Sequence, residues 1–114
     1  MLFEMHLNPI PFNKIVTGRK DVEMRLLTEE RKKLAVGDQI RFTNNQSFKT
    51  VLVEVTGVTR FKNFKELYAA FPKSRLGYHE DEKADYHDMN QFYTDENIKK
   101  FGVIAIEIKI IKER

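Results

Sequence analysis

The chain has 114 residues, 41% hydrophobic and 32% charged, which suffices for one core of its own and is too apolar for a disordered chain. It contains no cysteine, which excludes a disulfide framework, a thiol nucleophile and any cysteine-ligated metal. The 20 Lys and Arg against 17 Asp and Glu leave a formal charge of +3, and no apolar run approaches the ~20 residues of a membrane span.

The opening MLFEMHLNPIPF has no basic stretch followed by an apolar one, so a single cytoplasmic domain over 1–114 is expected. Phe3–Leu7 reads as a first strand, closed by the Asn8-Pro9 turn signal. Pro11–Thr17 predicts a short helix with Phe12, Ile15 and Val16 on one side and Gly18 as its stop. From Lys20 to Leu26 polarity alternates: Val22, Met24 and Leu26 share one face, Asp21, Glu23 and Arg25 the other. That pattern predicts a half-buried strand. Thr28 is placed to cap a helical turn that starts with Glu29 and Glu30.

Val36-Gly37-Asp38 turns into a strand at Gln39–Thr43, and a loop at Asn44–Ser47 leads to a long strand, Lys49–Arg60. Gly57 within it marks a bulge or bend. Asn63 is expected to cap a helix through Ala70, ended by Pro72, and Thr94 a last helical turn stopped by Gly102. Val103–Ile111 is a final, strongly apolar strand. The polar stretch Lys73–Tyr93 carries too many aromatics for a free linker. An α+β chain of five or six strands with short helices suggests a small, mostly β barrel.

Charge is distributed unevenly. Residues 1–77 hold 14 basic and 8 acidic groups, whereas residues 78–96 hold one basic and 7 acidic. The basic body can attract phosphate through its summed field. The acidic stretch would either mark the edge of such a footprint or fold over a cationic cleft as a lid.

The segment Gly18-Arg19-Lys20-Asp21-Val22-Glu23-Met24-Arg25 places three cations and two carboxylates at a helix-to-strand junction. Gly18 permits a sharp turn and close approach to a ligand. Lys20 stands at the strand's mouth, and Glu23 and Arg25 project from one face two residues apart. Such a trio suits an anionic or carbonyl-bearing ligand; the competing reading is an ordinary solvated Glu–Arg pair.

This G-x-K-x-x-E-x-R segment resembles the signature of the ASCH domain family, whose fold is similar to the PUA domain. The Val36-Gly37-Asp38 turn and the strand after Phe101-Gly102 match the family layout. The resemblance implies a PUA-like barrel with a cleft that receives RNA or a nucleoside. Gly18, Arg19, Lys20, Glu23, Arg25 and Tyr93 would line it, with Tyr78, Tyr86 and Phe92 as further stacking candidates. One branch of the family deacetylates acetylcytidine. By that resemblance Lys20 is an active-site residue, but Glu23 stands where that branch has a threonine. Were the chain a hydrolase, Lys20 and Glu23 would be its catalytic pair, Glu23 as general base and Lys20 stabilising the oxyanion. The later glutamate of that branch would be Glu66, Glu80 or Glu82. A metal-independent ribonuclease and a protein-interaction module are further alternatives, and binding is favoured over catalysis.

No cofactor motif occurs: there is no P-loop and no G-x-G-x-x-G. His79 and His87, with Glu80, Asp81, Asp85 and Asp88, have metal-ligating chemistry but no compact ligand spacing, so no metal is expected.

Overall fold

Five strands form one mixed sheet: β1 (Leu2–Leu7), β2 (Val22–Leu26), β3 (Gln39–Asn44), β4 (Thr50–Phe61) and β5 (Val103–Glu113). The computed structural model describes residues 1–113. The strand order is β1-β3-β4-β5-β2, with β1 parallel to β3 and the other neighbours antiparallel. Three helices complete the chain, α1 (Pro9–Val16), α2 (Phe64–Ala70) and α3 (Asp95–Phe101), with 3-10 turns at Arg31–Lys33 and Tyr86–Gln91. This is the α+β, PUA-like architecture expected, in the form of a curled five-stranded half-barrel. None of the described helices is long and apolar enough to cross a membrane.

The curl divides the core in two. Inside it, Phe3, Met5 and Leu7 of β1 meet Ile40 and Phe42 of β3, Val51, Val53 and Val55 of β4, and Ile104 and Ile106 of β5, plugged by Phe12 and Ile15 of α1. On the outer face, Val22, Met24 and Leu26 of β2 and Val103 and Ala105 of β5 are covered by Phe64 and Leu67 of α2, with Leu76 and Met89. β5 is thus apolar on both faces because each of its faces has a cover.

Several local expectations hold at the residue that carries the chemistry. Asn63 caps α2 by accepting the Glu66 amide at 3.0 Å, and Thr94 caps α3. Gly102, with φ +73°, ends α3. The β4–β5 register slips between Val55 and Gly57, so Gly57 is the bulge. α1 starts earlier than expected, because Asn8-Pro9 is an N-cap followed by proline in the first turn and not a turn into loop. The turn after Thr28 is 3-10 with Glu30 at its cap; Thr28 contributes only its carbonyl, which accepts the Lys32 amide.

β2 decides between the two readings of its charged face. Glu23 and Arg25 do not point to solvent, Glu23 being 2% exposed, whereas Asp21, before the strand begins, stays half exposed and pairs with Arg75. Glu23 pairs with Ile106 and Arg25 with Ile104, both residues of the inner core, so the charged face looks into the curl. Alternation fixes which residues share a face, but the closure of the sheet decides whether that face meets water.

Candidate functional site

β2 is an edge strand, and the curl brings it towards the other edge, β1. Arg25 Nη2 spans the seam, donating to the carbonyl of His6 in β1 at 3.0 Å. The same guanidinium grips Glu23, with Nη2 and Nε donating to Oε2 at 2.8 and 3.0 Å. From the other side Lys20 Nζ lies 3.1 Å from Glu23 Oε1, which also accepts the Met24 amide at 3.2 Å. Both carboxylate oxygens are therefore committed. Burial pushes the Glu23 carboxyl up, but the charges and hydrogen bonds of Lys20 and Arg25 outweigh it and hold the group at about 2. A lone surface Glu–Arg pair would do little of this; here the side chains of Lys20 and Arg25 are only 10% and 14% exposed.

Glu23 uses one ammonium hydrogen of Lys20, and Arg25 Nη1 has no partner among the described residues. The two cations thus retain donors, and with one carboxylate between them the trio keeps a residual positive charge. It opens on a cleft of about 230 Å³ in which Lys20, Glu23 and Arg25 face Tyr93, Phe92 and Met89. Tyr93 has one ring face stacked on Phe64, with centroids 6.0 Å apart. Phe92 stands at the rim, 57% exposed. A third cation, Arg31, donates to the Leu26 carbonyl at 3.1 Å. Burial lowers its pKa against the opposing pull of Tyr93, and repulsion from Arg25 adds to the lowering.

Four of the six residues expected at the site, Lys20, Glu23, Arg25 and Tyr93, come together in this cleft. Gly18 and Arg19 do not. They border a neighbouring depression of about 310 Å³, where Gly18 takes φ +77° and Arg19 Nε donates to Thr17 Oγ1 at 3.1 Å. Chain direction explains the split: α1 ends at Val16 and its exit loop turns Arg19 away before β2 begins. Of the other aromatics, Tyr78 lines the adjoining space, whereas Tyr86 stacks on the His87 ring at 4.1 Å. Phe92 and the buried Met24 and Met89 are cleft residues that motif spacing did not single out as ligand-binding. Phe92 was visible only as one aromatic among several.

None of the three later glutamates bonds to Lys20. Glu66 Oε1 accepts the Lys62 amide at the start of α2, Glu82 Oε1 accepts the His79 amide, and Glu80 borders the depression beside Arg19. The acidic stretch is anchored rather than free. Lys73 Nζ donates to the carbonyls of Glu80 and Glu82, and Tyr78 Oη bonds to Tyr68 Oη and Asp88 Oδ2 at 3.0 and 2.7 Å. His87 Nδ1 pairs with Asp85 at 2.8 Å, and no cluster of three or more metal-ligating side chains exists among the described residues.

The sequence matches the ASCH domain family over residues 5–112. The fold is similar to the crystal structure of the hypothetical protein PH0355, at 30% identity and a TM-score of 0.82, covering 97% of this chain and 100% of that one. It is similar also to the solution structure of protein PF0455 from Pyrococcus furiosus, at 27% identity and a TM-score of 0.73, covering 98% and 99%. The ASCH protein of Zymomonas mobilis shares the fold at 14% identity, with a TM-score of 0.67 over 98% of this chain and 71% of that one. Among curated proteins, none matches the sequence.

Proposed function

The chain belongs to the ASCH domain family, and from that premise we propose that it binds a nucleobase, carried by a nucleoside or by RNA, in the cleft between Lys20, Arg25 and Tyr93. The observation that carries this reading is the state of Glu23. With both oxygens committed and its carboxyl held at about 2, it serves as an internal counter-ion that fixes two cations in place. The hydrogen-bond donors left on Lys20 and Arg25 then meet a base carbonyl or ring nitrogen at fixed positions, with little ordering to be done on binding. Tyr93 and Phe92 supply the apolar surface against which a base can lie. The space, about 230 Å³, falls below the roughly 300–1,000 Å³ of drug-sized sites and suits a single base with part of its sugar.

The same observation disfavours the hydrolytic alternative. A carboxyl held at about 2 is a weak proton acceptor at neutral pH, and accepting a proton would cost it the grip on Lys20 and Arg25. Lys20 and Glu23 are thus assigned to binding and positioning rather than to an acid–base pair. The cytoplasm, which holds both nucleosides and RNA, is the compartment this function implies.

The test is titration of isotope-labelled protein with the four nucleosides, acetylcytidine and short RNA, followed by amide shifts. Shifts are expected at Lys20, Arg25, Phe92 and Tyr93, with affinity lost in Lys20→Ala. Absence of shifts with every ligand overturns the proposal. Release of acetate from acetylcytidine, abolished by Lys20→Ala, would make the site an amidohydrolase instead.

A further inference from the structure

Arg75 lies outside the signature segment, yet it ties three parts of the chain together where β2 begins. Its backbone carbonyl accepts the amides of Asp21 and Val22, each at 3.1 Å. Its guanidinium donates from Nε to Asp21 Oδ1 at 2.8 Å and from Nη2 to Glu107 Oε1 at 2.9 Å. The Asp21 carbonyl in turn accepts the Ile108 amide at 3.0 Å, so this clasp fixes the entry of β2 against β5. An isolated exposed ion pair would count for little. Here one planar fork holds two carboxylates while the carbonyl of the same residue holds two amides.

The clasp stands between the two backbone positions that place Lys20. Lys20 directly precedes Asp21, and Gly77 follows Arg75 by two residues. Gly77 is buried, with φ +99°, and a Cβ there would come 3.3 Å from Lys20 Cδ and 3.5 Å from Lys20 Cβ. The Lys20 stem therefore runs along bare backbone, which a larger residue would crowd. Its own amide donates to the Lys14 carbonyl at 3.0 Å, and at its far end Nζ lies 3.1 Å from Glu23 Oε1. A four-carbon stem has many rotamers, and packing along its length selects the one that ends at Glu23.

We infer that Arg75 is a positioning residue for Lys20: by clasping Asp21 and Glu107 it holds Gly77 against the Lys20 stem and so directs the ammonium to Glu23. It acts through Lys20 and touches no ligand in this role. Its value to binding rests on the base-binding reading, because a base meets fixed donors only if Lys20 is held in place.

Acylation of the whole protein with acetic anhydride, followed lysine by lysine in a mass spectrometer, tests it without any ligand. Lys20 should react slowly beside the exposed Lys65. Arg75→Ala should raise the rate at Lys20 at least about threefold relative to Lys65. Arg75→Lys, which can reach one carboxylate and not both, should restore part of the protection, and it carries the comparison should the alanine variant not fold. Titration with the four nucleosides should show affinity lowered several-fold by Arg75→Ala. In a Lys20→Ala background the same change should cost nothing more, because both act through one ammonium. A Lys20 rate that keeps its wild-type ratio to Lys65 overturns the inference. So does an equal acceleration of every lysine, which would make Arg75 a support of the fold alone. If no nucleoside binds the wild type, base binding fails, whereas a rise confined to Lys20 still upholds the positioning role.

Discussion

Replacing Glu23 by glutamine keeps the shape of the side chain and removes the charge between Lys20 and Arg25. Breaking a buried ion pair from one side costs about 3–5 kcal/mol, because the remaining charges lose their counter-ion in a poorly solvated place. The pKa sets a second, independent magnitude. A carboxyl held at about 2 in the fold against an ordinary 4.5 contributes about 3 kcal/mol at pH 7. Because the folded value is the lower one, this stabilisation is complete above the unfolded pKa and disappears as pH falls through the folded one. About 2 of those 3 kcal/mol should be gone by pH 3. Urea unfolding of wild type and Glu23→Gln at pH 7, 5, 4 and 3, at constant ionic strength, reads this directly. The stability gap should be largest at pH 7, almost unchanged at pH 5 and narrowed by about 2 kcal/mol at pH 3. A gap independent of pH would refute the assignment of Glu23 as a buried, ionised counter-ion.

Three further predictions concern the frame around the site. A Cβ at Gly57 would collide with the carboxylate of Glu107, which pairs with Arg75 at 2.9 Å. Gly57→Ala should therefore cost about 1 kcal/mol in thermal melts, and most of that cost should vanish in a Glu107→Ala background. Asn63→Ala removes the α2 cap and should cost about 1 kcal/mol by chemical denaturation, with Asn63→Asp largely restoring it. Phe48 holds φ +61° and is 76% exposed, so Phe48→Gly should raise stability by about 0.5–1 kcal/mol, seen as a higher Tm; a lower Tm would mean that the ring has packing partners in solution.

How much of this was legible in the sequence follows the range of each interaction. The Asn63 and Thr94 caps, the Gly102 stop and the Gly57 bulge were readable because each is decided within a few residues of itself. The parallel pairing of β1 with β3 left no such trace, since it depends on the chain passing through α1 and across to the far edge of the sheet at β2 before it returns beside β1. For β2, alternation grouped Glu23 with Arg25 correctly but left open whether their face lines a cleft or meets solvent. The partner that encloses it, the His6 carbonyl, is 19 residues from Arg25 and is a backbone group that no side-chain pattern encodes. Arg19 and Lys20 look interchangeable as neighbouring cations, and only the exit angle of α1 sends them into different spaces. The acidic stretch was unreadable because its anchors are backbone carbonyls held by Lys73 and a Tyr68–Tyr78 hydroxyl contact, neither of which leaves a periodic pattern. Phe48 carries no sequence signal for its left-handed backbone, a conformation that glycine or asparagine would ordinarily fill.

The Arg25 seam also bears on the open edges of the sheet. An open sheet exposes two rows of unpaired amides and carbonyls, each a template for adding a strand from another molecule. Here the two open edges, β1 and β2, face one another across a short gap, and a guanidinium occupies one of the carbonyls that such a strand would need. A single side chain thus takes up one strand-adding position while the gap itself carries no backbone ladder. In this chain the edges are therefore bridged at one point by a side chain instead of being zipped by backbone pairing.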